Sequence, residues 1–122
     1  MASASATSTQ TSPDLAQTLG VLRASRAVRL DDAEISALAA ALDGMSATSI
    51  EFFGSRTDPA ARGGDIDILI LSDAPRLETA RRVSSRFFMH CEERIDVVVL
   101  NPVRLSAAEE AFLHSLRRVR IV

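Results

Sequence analysis

The segment from Asp65 to Leu71 limits what this chain can fold into, because two aspartates stand at the start of an otherwise apolar run. The run 66–71 predicts a strand. Side chains two residues apart on a strand point to the same side, roughly 6–7 Å apart, so Asp65 and Asp67 would face one small volume. Carboxylates beside apolar side chains are costly to desolvate without a partner, and a Mg²⁺ ion is a natural one.

A glycine-serine pair, Gly54-Ser55, follows the preceding apolar run, 50–53, which predicts another strand. Backbone N–H groups and a hydroxyl at such a position can hold a phosphate, and glycine permits close approach. A plain turn into the loop 57–64 is the alternative, since glycine and serine dominate turns. For Arg56 two interpretations stay open, which are neutralisation of a phosphate and a solvated surface position.

A third aspartate, Asp96, lies one residue inside the apolar run 95–100, which predicts a third strand. Neighbouring strands lie about 4.8 Å apart, so three carboxylates would converge on one cation site if the strands of Asp67 and Asp96 were neighbours. The sequence does not show that adjacency. Taken singly, Asp65 also fits a turn after Gly63-Gly64, and Asp67 also fits a solvent-facing strand position.

Helical patterns separate these strands. Asp31 and Glu34 have the spacing of a capping box and Gly44 supplies a stop, so a helix is predicted over about 32–43. A second amphipathic helix is predicted over 75–91, and a third begins at Ser106. The apolar positions of the helix 75–91 are Leu77, Ala80, Val83, Phe87, Phe88 and Cys91. Strands that alternate with helices predict an α/β or α+β domain.

The length of 122 residues allows one domain and no second substrate-binding lobe of ordinary size. The Ala/Ser/Thr-rich segment 1–13 is predicted to be a disordered tail. The segment 14–29 is predicted to be an N-terminal helix and linker, although Gly20 weakens its helical pattern, and a loose leader stays open as the alternative. The domain itself is predicted to span 30–122, and any substrate must be held at an open face.

Charge and composition exclude several classes of function. Domains that bind nucleic acid are usually basic, whereas the net charge of this chain is −2, so no direct nucleic-acid binding is expected. All 14 basic residues are arginine, which excludes a Walker-type phosphate loop and Schiff-base chemistry. No stretch has the roughly 18 apolar residues of a membrane span. Cys91 is the only cysteine, so nothing argues for an oxidising compartment, and a cytoplasmic location is expected.

These motifs together resemble a known family. They resemble the nucleotidyltransferase superfamily related to DNA polymerase β. The features that carry the resemblance are Phe52-Phe53-Gly54-Ser55-Arg56, the nine residues between Ser55 and Asp65, Asp65-Ile66-Asp67-Ile68-Leu69 and Ile95-Asp96-Val97-Val98. The resemblance is closest to the minimal nucleotidyltransferases, the MNT proteins. It covers about Leu30 to Val122, and the combination of Gly-Ser, Asp-x-Asp and a third strand-borne aspartate is quite specific.

The resemblance implies a polymerase β palm-like fold, with a mixed β-sheet flanked by helices. It implies that Asp65, Asp67 and Asp96 are catalytic and bind metal, with two Mg²⁺ ions expected, and that Gly54, Ser55 and Arg56 bind the nucleotide. The implied reaction transfers AMP from ATP, in which an acceptor hydroxyl attacks the α-phosphorus and pyrophosphate leaves in line. Asp96 is also suited to assist deprotonation of the hydroxyl.

The resemblance also implies a partner. MNT proteins are commonly paired, as antitoxins, with HEPN-domain toxins, and some adenylylate a tyrosine of the HEPN ribonuclease. This chain is not the toxin half, because the HEPN signature places four to six residues between Arg and His, whereas Arg86 and His90 enclose three. Two alternatives stay open. One is a catalytically silent antitoxin that acts by binding only, and the other is a nucleotidyltransferase for small molecules such as aminoglycosides.

Overall fold

A computed structural model describes residues 14–122, so the tail predicted over 1–13 lies outside the described residues. Within 14–122 the fold is α+β, as predicted, with four α-helices and a four-stranded mixed sheet. The elements in chain order are α1 (14–24), α2 (Asp32–Leu42), β1 (Ser49–Phe53), a 3₁₀ turn (Ser55–Thr57), β2 (Ile66–Leu71), α3 (Arg76–Phe88), β3 (Ile95–Leu100), α4 (Ala107–Ser115) and β4 (Val119–Arg120).

The sheet has the strand order β3-β2-β1-β4. β1 runs antiparallel to both β2 and β4, whereas β2 and β3 are parallel. The parallel pair is connected through α3, as parallel neighbours require a crossover. β3 is therefore an edge strand next to the central β2, which is the arrangement that positions the aspartates.

The main core lies between one face of the sheet and the helices α1, α2 and α3. Strand side chains alternate between faces, so every second residue of β1 and β2 points into this core. Segment 14–29 belongs to the same core, because Leu15, Leu19 and Val28 are buried there. The strand and helix residues that fill it include Ile50, Phe52, Ile66, Ile68, Ile70, Ile35, Leu38, Val83 and Phe87.

The opposite side of the sheet, called here the α4 face, is covered in part. Leu113 of α4 packs against Leu69 of β2 and Leu100 of β3. These contacts lie toward the ends of β2 and β3, whereas Asp67 and Asp96 are the second residues of those strands. The α4 face therefore has an apolar part beneath α4 and an acidic part at the start of the two parallel strands.

The capping box predicted at the start of α2 is confirmed. The Asp31 carboxylate accepts a 2.7 Å hydrogen bond from the Glu34 amide, and the Asp31 amide donates a 2.8 Å bond to the Glu34 carboxylate. After α2 the backbone turns at Gly44, whose φ is +71°. Both ends of this helix thus follow from local sequence.

Two details of the fold differ from the sequence-based expectations. Leu77 and Phe88 were predicted on the apolar stripe of α3 but are 71% and 51% exposed. The buried face of α3 is instead formed by Thr79, Val83 and Phe87, which recur every four residues. The short strand β4 was not predicted at all.

Candidate functional site

Asp67 and Asp96 face each other across the two parallel strands. They are register partners of β2 and β3, so both side chains lie on the α4 face at about the spacing of adjacent strands. Asp65 immediately precedes β2. The strand adjacency that the sequence left open is therefore present, and the structure brings Asp67 and Asp96 together at the start of their strands with Asp65 close by in the chain.

The environment of Asp67 disfavours its negative charge. Burial raises the pKa of the Asp67 carboxyl, and the carboxylates of Asp96 and Asp65 raise it further. The positive charge of Arg56 acts in the opposite direction but does not cancel these effects. The site thus carries excess negative charge, which a bound cation would relieve.

The donor atoms of this site fit magnesium in type. Mg²⁺ prefers hard oxygen ligands and is commonly held by one or two carboxylates together with substrate phosphates. Across residues 14–122, no group of three or more His, Cys, Asp or Glu side chains is arranged to hold a metal ion.

Gly54 makes room for the Asp67 carboxylate. It follows Phe53, the register partner of Asp67 on β1, and a side chain built on Gly54 would overlap the Asp67 Oδ2 atom. Its φ of +77° and ψ of −160° fall in a region that is essentially restricted to glycine. Both the backbone conformation and the close approach therefore require glycine at this position.

Ser55 begins the 3₁₀ turn beside this glycine and is exposed. Its hydroxyl lies over Gly64, where an added Cβ would overlap Ser55 Oγ. Thr57 closes the turn, because its hydroxyl donates a 2.7 Å bond to the Gly54 carbonyl. The Gly-Ser turn thus packs against the end of the loop that leads into Asp65.

Arg56 is buried, with 6% of its surface exposed, so the solvated alternative does not hold. Its guanidinium donates two bonds to the Glu34 carboxylate at 2.9 and 2.8 Å, and further bonds to the Arg29 and Gly64 carbonyls. The hydrogen bond to Glu34 raises the pKa of Arg56. Its donors are directed at the protein, and a contact with phosphate stays a prediction.

Arg29 is a residue of this site that the sequence analysis did not single out. Its guanidinium donates to the carbonyls of Ser55, Asp58 and Gly63 at 2.9–3.0 Å. These hydrogen bonds therefore join the start and the end of the loop between the Gly-Ser turn and Asp65. Nothing in its sequence context distinguishes it from the other arginines, because its role depends on carbonyls that lie more than 20 residues away in the chain.

An aromatic pair borders the acidic part of the α4 face. Phe53 of β1 lies next to Asp67 in the register, and the Phe112 ring of α4 meets it edge to face at a centroid distance of 5.9 Å. A separate cavity of about 330 Å³, lined in part by Ser72 and Asp73, lies past the other end of β2. The aromatic pair, and not this cavity, is adjacent to the aspartates.

No protein-family model, no curated protein and no solved structure matches the chain. The resemblance to the nucleotidyltransferases therefore rests on the motif residues named above. Among the helices of residues 14–122, none has the length and apolar character needed to cross a membrane.

Proposed function

We propose that this protein is a Mg²⁺-dependent nucleotidyltransferase that transfers AMP from ATP to a hydroxyl group of a partner protein. The observation that carries the proposal is the in-register pairing of Asp67 and Asp96 on adjacent parallel strands, with the Asp67 carboxylate packed over Gly54. Acids with raised pKa values cluster at functional sites, because neighbouring charges there are arranged for binding and not for stability. The raised pKa of Asp67 supports the same conclusion.

Each residue of the site has a defined task in this proposal. Asp65, Asp67 and Asp96 would hold Mg²⁺, and the Gly54-Ser55 turn would bind the phosphates. When bound, the metal ions polarise the phosphoryl oxygens and neutralise the charge that develops on them. Arg29 and Arg56 act through the backbone, since their hydrogen bonds to its carbonyls fix the loop that joins the turn to Asp65.

The transfer exchanges one phosphorus–oxygen bond for another. The acceptor oxygen bonds to the α-phosphorus, the bond from that phosphorus to the oxygen bridging the β-phosphate breaks, and pyrophosphate leaves. The proton of the acceptor hydroxyl passes to Asp96. Asp96 suits that role because it is exposed and lies on the edge strand β3, where a second protein can approach.

The proposed partner is a HEPN-domain toxin, and the proposed biological role is that of its antitoxin. This part rests on the resemblance to MNT proteins. The open position of Asp96 at the sheet edge supports a large acceptor, because a partner protein can present its own tyrosine hydroxyl without a second lobe to bind it.

The test is label transfer from α-phosphate-labelled ATP with Mg²⁺, first to proteins in a lysate of the source and then to a purified HEPN partner. The variant Asp65→Asn/Asp67→Asn should abolish the label. Asp73→Asn, which changes an exposed aspartate past the other end of β2, should retain it. The proposal fails if the wild type binds ATP yet labels no protein, or if the double variant labels as well as the wild type.

A binding-only antitoxin, with the acidic site vestigial, is the second candidate, and the environment of Arg56 favours it. The Arg56 guanidinium donates to the Glu34 carboxylate and to backbone carbonyls, so its donors are directed at the protein and not at a phosphate. In that case the Asp65→Asn/Asp67→Asn variant would still neutralise the toxin. Growth of cells that express the toxin with either antitoxin form separates the two candidates, since an enzymatic antitoxin would lose protection in the variant.

A further inference from the structure

The aspartates share their row of the sheet with an aromatic ring. On the α4 face, Phe53, Asp67 and Asp96 lie side by side on β1, β2 and β3, because Asp67 is the register partner of both other residues. Opposed residues on antiparallel strands have Cβ atoms about 4.5–5.5 Å apart. Phe53 therefore lies next to Asp67, on the side away from Asp96.

A second ring extends this row toward solvent. Phe112 meets Phe53 edge to face, with ring planes at 86° and centroids 5.9 Å apart. The next residue of α4, Leu113, is buried in the cluster with Leu69, so packing fixes the helix while Phe112 stays 36% exposed. The pair thus has one ring held in the sheet and one ring that solvent reaches, at the border of the acidic part.

We propose that Phe53 and Phe112 form a stacking platform for the nucleobase of the nucleoside triphosphate, which is an inference that rests on the proposed function. Phe53 adjoins Asp67 at one strand spacing of about 4.8 Å, and the Phe112 ring centroid lies 5.9 Å from that of Phe53. The phosphates and the base of one nucleotide are likewise separated only by a ribose and its 5′ oxygen. The phosphates then lie at Gly54 and the aspartates while the base lies on Phe112.

Such a platform also determines which nucleobases the protein accepts. Phenylalanine rings carry no hydrogen-bond donor or acceptor, and every base has a π-face, so stacking alone tolerates all four bases. The larger purines are favoured over pyrimidines by contact area. We therefore expect ATP and GTP to bind with affinities within a few-fold of each other and both more tightly than CTP or UTP.

The test compares ATP with inorganic triphosphate, which has the phosphates but no base, by calorimetry on the full chain with Mg²⁺. The wild type should bind ATP more tightly. Phe112→Leu keeps an apolar side chain and removes the ring, and it should weaken ATP binding by about 5- to 150-fold, the range found when a stacking aromatic is removed. Binding of inorganic triphosphate should not change, and Phe112→Trp should restore ATP affinity.

Phe88→Leu is the matched control, because Phe88 is also exposed and also forms an edge-to-face pair, with Phe87, but lies on α3. It should leave both affinities unchanged. Equal wild-type affinity for ATP and inorganic triphosphate would overturn the platform and leave the proposed function standing. Failure of the wild type to bind either ligand would overturn both. Equal weakening of both ligands by Phe112→Leu would make Phe112 structural and also overturn the platform.

Discussion

Glu34 and Asp67 are both acids partly withdrawn from water, yet their pKa values move in opposite directions. Burial alone would raise the pKa of Glu34, but the hydrogen bonds from Arg56 and from the Asp31 amide lower it below its ordinary value. Burial also raises the pKa of Asp67, and there the neighbouring charges of Asp96 and Asp65 add to the effect. The two acids differ in their partners and not in their chemistry.

The comparison separates a charge that is neutralised within the fold from one that is not. The Glu34 carboxylate accepts bonds from Arg56 and Asp31, so its charge is neutralised within the protein. The Asp67 carboxylate faces Asp96 across the sheet and has Asp65 two residues before it, so its charge is not balanced within the protein. Departures of this kind from local stability rules are typical of functional sites.

The largest expected effect comes from breaking the compensated pair. Arg56→Met leaves Glu34 buried without its charge partner, and removing one member of a buried ion pair destabilises a protein by about 3–5 kcal/mol. Arg56 and Glu34 side chains are only 7% and 4% exposed, so water cannot replace the lost bonds. Denaturation in urea should therefore show a loss of that size in the free energy of unfolding.

Two controls sharpen this prediction. The double variant Glu34→Met/Arg56→Met should recover much of the loss, because the buried charge is then removed altogether. The variant Arg23→Met breaks a 2.6 Å pair with Asp32 in which both side chains are well exposed, so it should change stability by about 1 kcal/mol or less. An equally small loss in Arg56→Met would show that the Glu34 pair is not the compensated charge described here.

The elements of the fold were predictable where the signal is local. The strands 66–71 and 95–100 and the capped helix α2 follow from short apolar runs and from the Asp31–Glu34 capping box. β4 was missed because two residues have no periodicity, and its pairing with Glu51 and Phe52 depends on a segment far back in the chain. The exposure of Leu77 was missed because helical spacing does not say how wide the covered face of α3 is.

For the site, sequence supplied the residues but not their partners. The aspartates could be selected because acids inside apolar runs are unusual, but their meeting requires β3 to return beside β2 through α3. The environment of Arg56 could not be predicted, since its partner Glu34 lies 22 residues earlier and was already explained by the capping box. Long-range pairing thus decided what the local pattern left open.

The next largest effect concerns the glycine that accommodates Asp67. Gly54→Ala should reduce the free energy of unfolding by about 1–3 kcal/mol, because alanine is strained in this glycine-only conformation. The added Cβ would also displace the Asp67 carboxylate. Thermal unfolding gives the stability change, and calorimetric titration with Mg²⁺ and ATP should show weaker binding.

Gly63→Ala is the control that introduces backbone strain without a new contact with the Asp67 carboxylate. Gly63 also has a positive φ, of +61°, but a Cβ there meets no atom within 4 Å. It should lose less stability than Gly54→Ala and retain the affinity for Mg²⁺ and ATP. If both variants bound these ligands equally well, the close approach of Gly54 to Asp67 would have no functional role.

The smallest expected change is a gain in stability, whereas the variants described above lose stability. Because the pKa of Asp67 is raised in the folded protein, its stabilising contribution is present below the ordinary aspartate value and is lost as pH rises through the folded value. Asp67→Asn has no charge to lose, so at neutral pH it should be more stable than the wild type, by about 0.2–1 kcal/mol for relief of like charges on opposed strands.

The stability gain of Asp67→Asn should shrink as pH falls through the raised pKa of Asp67. Melting curves from pH 7 to pH 3 measure this change, and Asp73→Asn is the control that should show no gain.

Mg²⁺ should raise the melting temperature of the wild type and leave that of Asp67→Asn unchanged, because the ion supplies the positive charge that the site lacks. A wild type that is at least as stable as Asp67→Asn at neutral pH without Mg²⁺ would contradict the view that Asp67 carries an unbalanced charge. The response to Mg²⁺ then separates the two acids of the comparison, since Glu34 already has its partner within the fold, whereas we propose that Asp67 acquires one only when the ion binds.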